Sequence, residues 1–170
     1  MITALGIDPG LRVTGYSIVQ GDRQGCRAIE LGLIRSAQPE LAARVAEVHR
    51  HLSAILREHR PQVVALEDIF AHHTFPRTAL HLAHLRGAIS LAAAQAGIPV
   101  ENLSPAAVKR ALTGSGRASK AQVQAVVAQA LGLAAPPAHH AADATALALT
   151  TLSRRGVALR AARAAVETPA

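Results

Sequence analysis

Ile2-Thr3-Ala4-Leu5-Gly6-Ile7-Asp8-Pro9-Gly10-Leu11-Arg12-Val13-Thr14-Gly15-Tyr16-Ser17-Ile18-Val19-Gln20 decides how this chain begins to fold. Residues 2–7 and 13–20 are alternating or continuous apolar runs, the mark of strands. Between them Asp8-Pro9-Gly10 is turn chemistry: proline presets one backbone angle and glycine tolerates the next. The stretch predicts two antiparallel strands joined by a tight connection. A third strand is expected over Arg27 to Ile34.

Further along, Pro39 suits the first turn of a helix. Leu41, Val45, Val48, Leu52 and Ile55 recur at helical spacing and give that helix one apolar stripe. Residues 62–69, Gln-Val-Val-Ala-Leu-Glu-Asp-Ile, are short and almost continuously apolar, as a central parallel strand is. A second helix is expected from Arg77, carrying Leu82, Leu85 and Ile89 and stopping at Gly97. Ile98 to Leu103 reads as another strand, and Ser104-Pro105 as a cap followed by a first helical residue. Ser119 caps a helix with Val123, Val126, Val127 and Leu131, and Pro136-Pro137 separates it from a last helix over His139 to Ser153. The order β-β-β-α-β-α-β-α-α-α predicts a mixed α/β sheet with helices on both faces. Residues 1–153 then form one domain. Residues 154–170 form a basic, Ala- and Arg-rich tail without a core pattern, expected to be disordered.

The chain has 170 residues and a formal charge of +7, and 16 of its 18 basic residues are arginine. Such a balance fits a polyanionic partner, although arginine-rich composition alone does not establish one. No apolar run reaches a membrane span, and the start lacks the basic region of a secretory signal. With Cys26 as the single cysteine no internal disulfide forms, which suits the cytoplasm.

Of the 11 carboxylates, Asp8, Glu67 and Asp143 stand out because apolar neighbours bracket each one. A charge among buried neighbours costs several kcal/mol unless it is paired or binds a metal. No Lys or Arg lies within three residues of Glu67 or Asp143, so a divalent cation is the economical partner. Oxygen ligands from carboxylates suit Mg²⁺ or Mn²⁺. His140 lies three residues before Asp143, on one helical face with it, and His139 is close to that face. Each acid taken singly also fits an ordinary turn, cap or edge role. Lys109, Arg110, Arg117 and Lys120 flank Gly114-Ser115-Gly116 and make a phosphate-contacting patch. The two phenylalanines, Phe70 and Phe75, both follow Glu67 closely, where an aromatic ring can stack on a base or wedge a base step, or else anchor the loop or a dimer contact. Arg77 follows them and is a further DNA contact candidate.

Gly6-Ile7-Asp8-Pro9-Gly10-Leu11-Arg12-Val13-Thr14-Gly15-Tyr16 resembles the opening block of the RuvC family of Holliday junction resolvases. Leu66-Glu67, Leu85-Arg86-Gly87, Lys109, Ser119-Lys120-Ala121-Gln122-Val123-Gln124 and Ala141-Ala142-Asp143-Ala144 extend the likeness over residues 2–153. The resemblance implies an RNase H-like fold with a five-stranded sheet. It implies a homodimer that nicks opposed strands of four-way junction DNA, with two divalent metals per site. It also implies work alongside the branch-migration complex of RuvA and RuvB. By position Asp8, Glu67 and Asp143 match the family's carboxylate ligands. His140 stands where many members carry an acid, which favours Mn²⁺ over Mg²⁺. Lys120 matches a family lysine and is expected to stabilise charge on the phosphate during cleavage. Phe70 matches a family aromatic. Two other readings stand beside this one: a non-catalytic junction-binding module, and an actin-like ATP-binding protein, which needs two such domains.

Overall fold

The computed structural model describes residues 1–68 and 76–162. Its elements follow the expected order: β1 (Ile2–Asp8), β2 (Val13–Asp22), β3 (Gly25–Arg35), α1 (Leu41–His59), β4 (Val63–Glu67), α2 (Pro76–Gln95), β5 (Val100–Leu103), α3 (Pro105–Thr113), α4 (Lys120–Leu131) and α5 (His139–Arg154). The sheet order is β3-β2-β1-β4-β5. β1 pairs antiparallel with β2 and parallel with β4, and β5 is parallel to β4.

Strand alternation divides the core into two. Leu5, Ile7, Ile18 and Leu66 face α1 and α2, where they meet Leu52, Leu85 and Ile89. Ala4, Val19, Ala65 and Leu103 face the other way, onto Val108 of α3, Val127 of α4 and Leu149 of α5. The five-stranded mixed sheet with helices on both faces is the expected RNase H-like architecture.

α5 lies unusually close to the sheet. A Cβ added at Gly6 would come within 1.9 Å of the Ala144 carbonyl oxygen, and one at Gly15 within 2.1 Å of the His140 carbonyl oxygen. Ala141, Ala142, Ala144, Ala146 and Ala148 are all buried, so small side chains line both sides of this contact. Thr145 and Thr150 are also buried and donate their hydroxyls to Ala141 and Ala146 carbonyls inside the helix.

Several boundaries differ from the sequence reading, three of them for reasons that the backbone bonds show. Pro39 stands outside α1, because the first helical bond is Arg44 N–H to the Glu40 carbonyl. β5 begins at Val100 because the Ile98 N–H is used to close the end of α2, on the Ala93 carbonyl. The stretch after Arg154, expected to lack structure, is ordered to residue 162. Val157 is buried, Cys26 N–H bonds to the Arg160 carbonyl, and Ala162 N–H bonds to the Cys26 carbonyl. This segment pairs along the outer edge of β3 through its backbone, which leaves no side-chain periodicity to read. Residues 163–170 lie outside the described residues.

Gly6→Ala and Gly15→Ala should each destabilise the protein by roughly 2–4 kcal/mol, since backbone rather than a flexible side chain must yield. Urea denaturation measures it. A loss below about 0.5 kcal/mol in both would show that α5 is free to shift.

Candidate active site

Each acid of the candidate site sits at an end of an element that the core holds rigid. Asp8 is the last residue of β1 and Glu67 the last of β4, so two parallel neighbours deliver carboxylates to one edge of the sheet. His140 and Asp143 come from the first turns of α5, which the Gly6 and Gly15 contacts press against the same edge. These four residues line a cleft of about 310 Å³, together with Lys109, Lys120 and His139. Its walls are apolar, among them Val108 of α3, Val123 of α4 and Leu147 of α5.

Within the cleft, His140 Nδ1 is 2.7 Å from Asp8 Oδ2. An ionised Asp8 can only accept, so Nδ1 is the nitrogen that donates in this contact. Asp143 Oδ2 is 3.3 Å from Lys120 Nζ and 3.3 Å from His139 Nδ1. Lys120 Nζ is also 3.2 Å from His139 Nε2. His139, noted in the sequence only as near the helical face of Asp143, is thus in direct contact with it. The partner of Asp143 is a lysine 23 residues away, beyond any local window in the sequence.

The electrostatics are those of an acidic site short of cations. Burial pushes the Asp8 carboxyl above its usual range, with the His140 hydrogen bond opposing and the Asp143 charge adding. Burial, then the charges of Asp8 and Asp143, push Glu67 up to about 7. Lys120 and Arg86 oppose that rise without cancelling it. Three carboxylates and an imidazole nitrogen with mutual repulsion to relieve form a donor set that fits Mn²⁺ or Mg²⁺.

Among the other nominated residues, Lys109 lines the cleft from α3, whereas Arg110, Arg117 and Arg77 are exposed and do not line it. Phe70 and Phe75 lie outside the described residues. Arg86 was quoted in the sequence without a role. It lies behind Glu67 and within reach of its charge. A second group of donors, Glu30, Glu58 and His59, has ligand atoms within 4.8 Å of one another. Glu30 there is bonded to His59 Nε2 at 2.7 Å and accepts from the Tyr16 hydroxyl, so its oxygens already have partners.

A mixed sheet of this order, with carboxylates gathered at the ends of two adjacent strands and a helix closing over them, defines an RNase H-like nuclease. The profile of the family described as "Crossover junction endodeoxyribonuclease RuvC" matches residues 4–151. A crossover junction endodeoxyribonuclease RuvC of Halorhodospira halophila is 47% identical over 163 residues, 95% of this chain and 96% of that protein. The RuvC structure of Thermus thermophilus superposes with a TM-score of 0.83 at 34% identity, over 92% of this chain and 98% of that one. The same organism's RuvC in complex with a Holliday junction substrate gives 0.85 at 33% identity, covering 92% and 96%. The chain belongs to the RuvC family of crossover junction endodeoxyribonucleases.

The raised Glu67 carboxyl has a consequence for stability. Its folded pKa of about 7 exceeds the ordinary 4.5, so the folded state holds that proton more tightly. The resulting stabilisation is complete below 4.5 and is lost as pH rises through about 7. In EDTA, Glu67→Gln should therefore be more stable than wild type at pH 8, by on the order of 1–2 kcal/mol after solvent screening, and little different at pH 4.5. Denaturant midpoints at the two pH values check it; parallel profiles for the two proteins would contradict the raised carboxyl.

Proposed function

We propose that this chain resolves four-way DNA junctions as a homodimer, placing symmetric nicks in opposed strands with two divalent ions per site and Mn²⁺ preferred. The observation that carries this reading is the cleft in which Asp8, Glu67, His140 and Asp143 converge, with Lys120 at its rim. Bound divalent ions supply an activated water and neutralise charge on the reacting phosphate. Asp8, Glu67, Asp143 and the Nε2 nitrogen of His140 are the residues that would hold them. Asp8 orients the His140 ring through its Nδ1–H. Lys120, whose side chain is 63% exposed, is free to turn from Asp143 toward a phosphate oxygen. Lys109, Arg110, Arg117 and Arg77 supply backbone contacts that fix register without reading sequence. Phe70 and Phe75 act in opening the junction by stacking on bases. RuvA and RuvB deliver the junction.

Asp8→Asn, Glu67→Gln and Asp143→Asn should each lower nicking by orders of magnitude while junction binding survives, because phosphate contacts supply the affinity. The assay is nicking of a mobile four-way junction with each strand end-labelled in turn. Near-normal cleavage by Glu67→Gln would sink the metal assignment. His140→Asp should shift the balance from Mn²⁺ toward Mg²⁺, since a carboxylate oxygen suits the harder ion better than an imidazole nitrogen does. An unchanged metal preference would move the ligand role to His139.

Support for the dimer comes from α2. Leu80 is 62% exposed and Leu91 53%, and with His84 and Gly87 they fall on one helical stripe. Beside it an apolar groove between α1 and α2 is lined by Leu41, Val45, Ala88 and Leu91. A Cβ at Gly87 would meet nothing within 4 Å, so backbone is open to close approach there. A second copy placed on this stripe gives the two-fold symmetry that a junction presents. Leu91→Glu should give a monomer in sedimentation at micromolar concentration and abolish paired nicking. A monomeric wild type that still nicks both strands symmetrically would overturn the dimer.

A further inference from the structure

Arg86 interrupts the apolar face of α2 beside Leu85, three residues before Ile89. Its side chain is only 15% exposed. Nη2 donates to Asn102 Oδ1 at 2.8 Å and stands 3.6 Å from Asp68 Oδ1. Nη1 is buried and has no hydrogen-bond partner among the described residues. A guanidinium held this way carries a large desolvation cost, and a nitrogen without a partner among the described residues adds to it. A leucine in the same slot would avoid both, so packing alone is a poor reason for arginine here.

The sheet register shows what Arg86 holds. Leu66 pairs with Asn102 and Glu67 with Leu103, and the ladder runs one step further through Asp68 N–H to the Leu103 carbonyl. Leu66 belongs to the core beneath α1 and α2, so alternation places Asp68 and Asn102 on that face and Glu67 on the opposite, cleft-lining one. Arg86 therefore links Asp68, the residue after β4, with Asn102 of β5 from behind Glu67. β4 itself ends at Glu67, and a strand end without a tie frays.

We infer that Arg86, through Asn102 and Asp68, is a positioning residue that holds the Glu67 carboxylate in place to bind metal. This rests on the assignment of Glu67 as a ligand. The geometry works across the sheet: one guanidinium nitrogen, set between Asn102 and Asp68, holds the backbone at residues 67 and 68 from behind the Glu67 side chain. Arg86 touches no substrate in this arrangement.

The test is Mn²⁺ binding by calorimetry without DNA, together with junction affinity in EDTA, thermal melting and nicking rate against Mn²⁺. Asn102 is exposed, so Asn102→Ala removes one arm of the tie without threatening the fold. It should weaken Mn²⁺ binding roughly tenfold, as loss of a group that orients a metal ligand does. Its nicking rate should recover at high Mn²⁺, with melting and junction affinity close to wild type. Arg86→Gln should show a larger loss of the same kind. Arg86→Lys, which keeps the charge and loses the planar guanidinium, should fall between them. Unaltered Mn²⁺ isotherms in Asn102→Ala and Arg86→Lys would overturn the inference and leave a simple strand-edge tie. Weaker junction binding with a shallower salt dependence and a normal isotherm would also overturn it, making Arg86 a phosphate contact. Absence of Mn²⁺ binding by the wild type would instead overturn the metal reading itself. Should Arg86→Gln not fold, the Asn102→Ala isotherm decides.

Discussion

Everything at the cleft depends on α5 lying against bare backbone. The Ala144 carbonyl occupies the place of a Cβ at Gly6, and the His140 carbonyl that of a Cβ at Gly15. Those contacts fix both the height of the helix over the sheet and its rotation about its axis. Rotation decides which side chains of the first two turns look toward Asp8 and Glu67. Ala144 and Ala148 complete the condition at the Gly6 contact, since larger side chains there would lift the helix away. The packing rule and the chemical rule therefore bear on the same residues: small ones to bring the helix close, and His140 and Asp143 among them to act.

Close packing also sets the electrostatic tension of the site. Burying Asp8 and Glu67 at neighbouring strand ends removes water from carboxylates that then repel each other and Asp143. A fold selected for stability alone would hydrate or separate them. Here the repulsion is offset only in part, by His140 on Asp8 and Lys120 on Asp143. The same unmet negative charge that destabilises the free protein is available to a divalent ion, so affinity for metal and loss of stability have one origin. Apolar walls from α3, α4 and α5 strengthen both effects by lowering the local dielectric.

The sequence carried the fold well because its signals are local. Two alternating runs about Asp8-Pro9-Gly10, the buried run at Val63–Leu66, and Ser104 and Ser119 ahead of helices all state their structure within a few residues. Both serines do accept the expected backbone bond, from Ala107 and Gln122. The acids could be nominated because an Asp or Glu amid apolar neighbours is conspicuous. Relations between distant residues could not be read that way. Nothing near Asp143 names Lys120, nothing near Cys26 names Arg160, and Arg86 looks like a surface arginine until Asn102 and Asp68 are seen beside it. The ordered stretch to residue 162 pairs through its backbone, and an Ala- and Arg-rich segment gives no periodicity to betray that.

One local rule is broken at the cleft in a way that makes sense only there. Pro105, Lys120 and His139 are the first residues of α3, α4 and α5, and all three line the cleft. Three helix N-termini thus meet at one place, each carrying about half a positive charge. First turns ordinarily favour acids, yet none of these three helices has one there, and Lys120 and two histidines occupy such positions instead. Repulsion between the Lys120 ammonium and the helix end on which it stands is a cost to the free protein. A phosphate backbone entering the cleft would reverse its sign, because it meets helix ends and side-chain cations together. Metal ions held as proposed would draw on the carboxylates and phosphate on the helix ends, so the two sets of charges would serve different parts of one reacting complex.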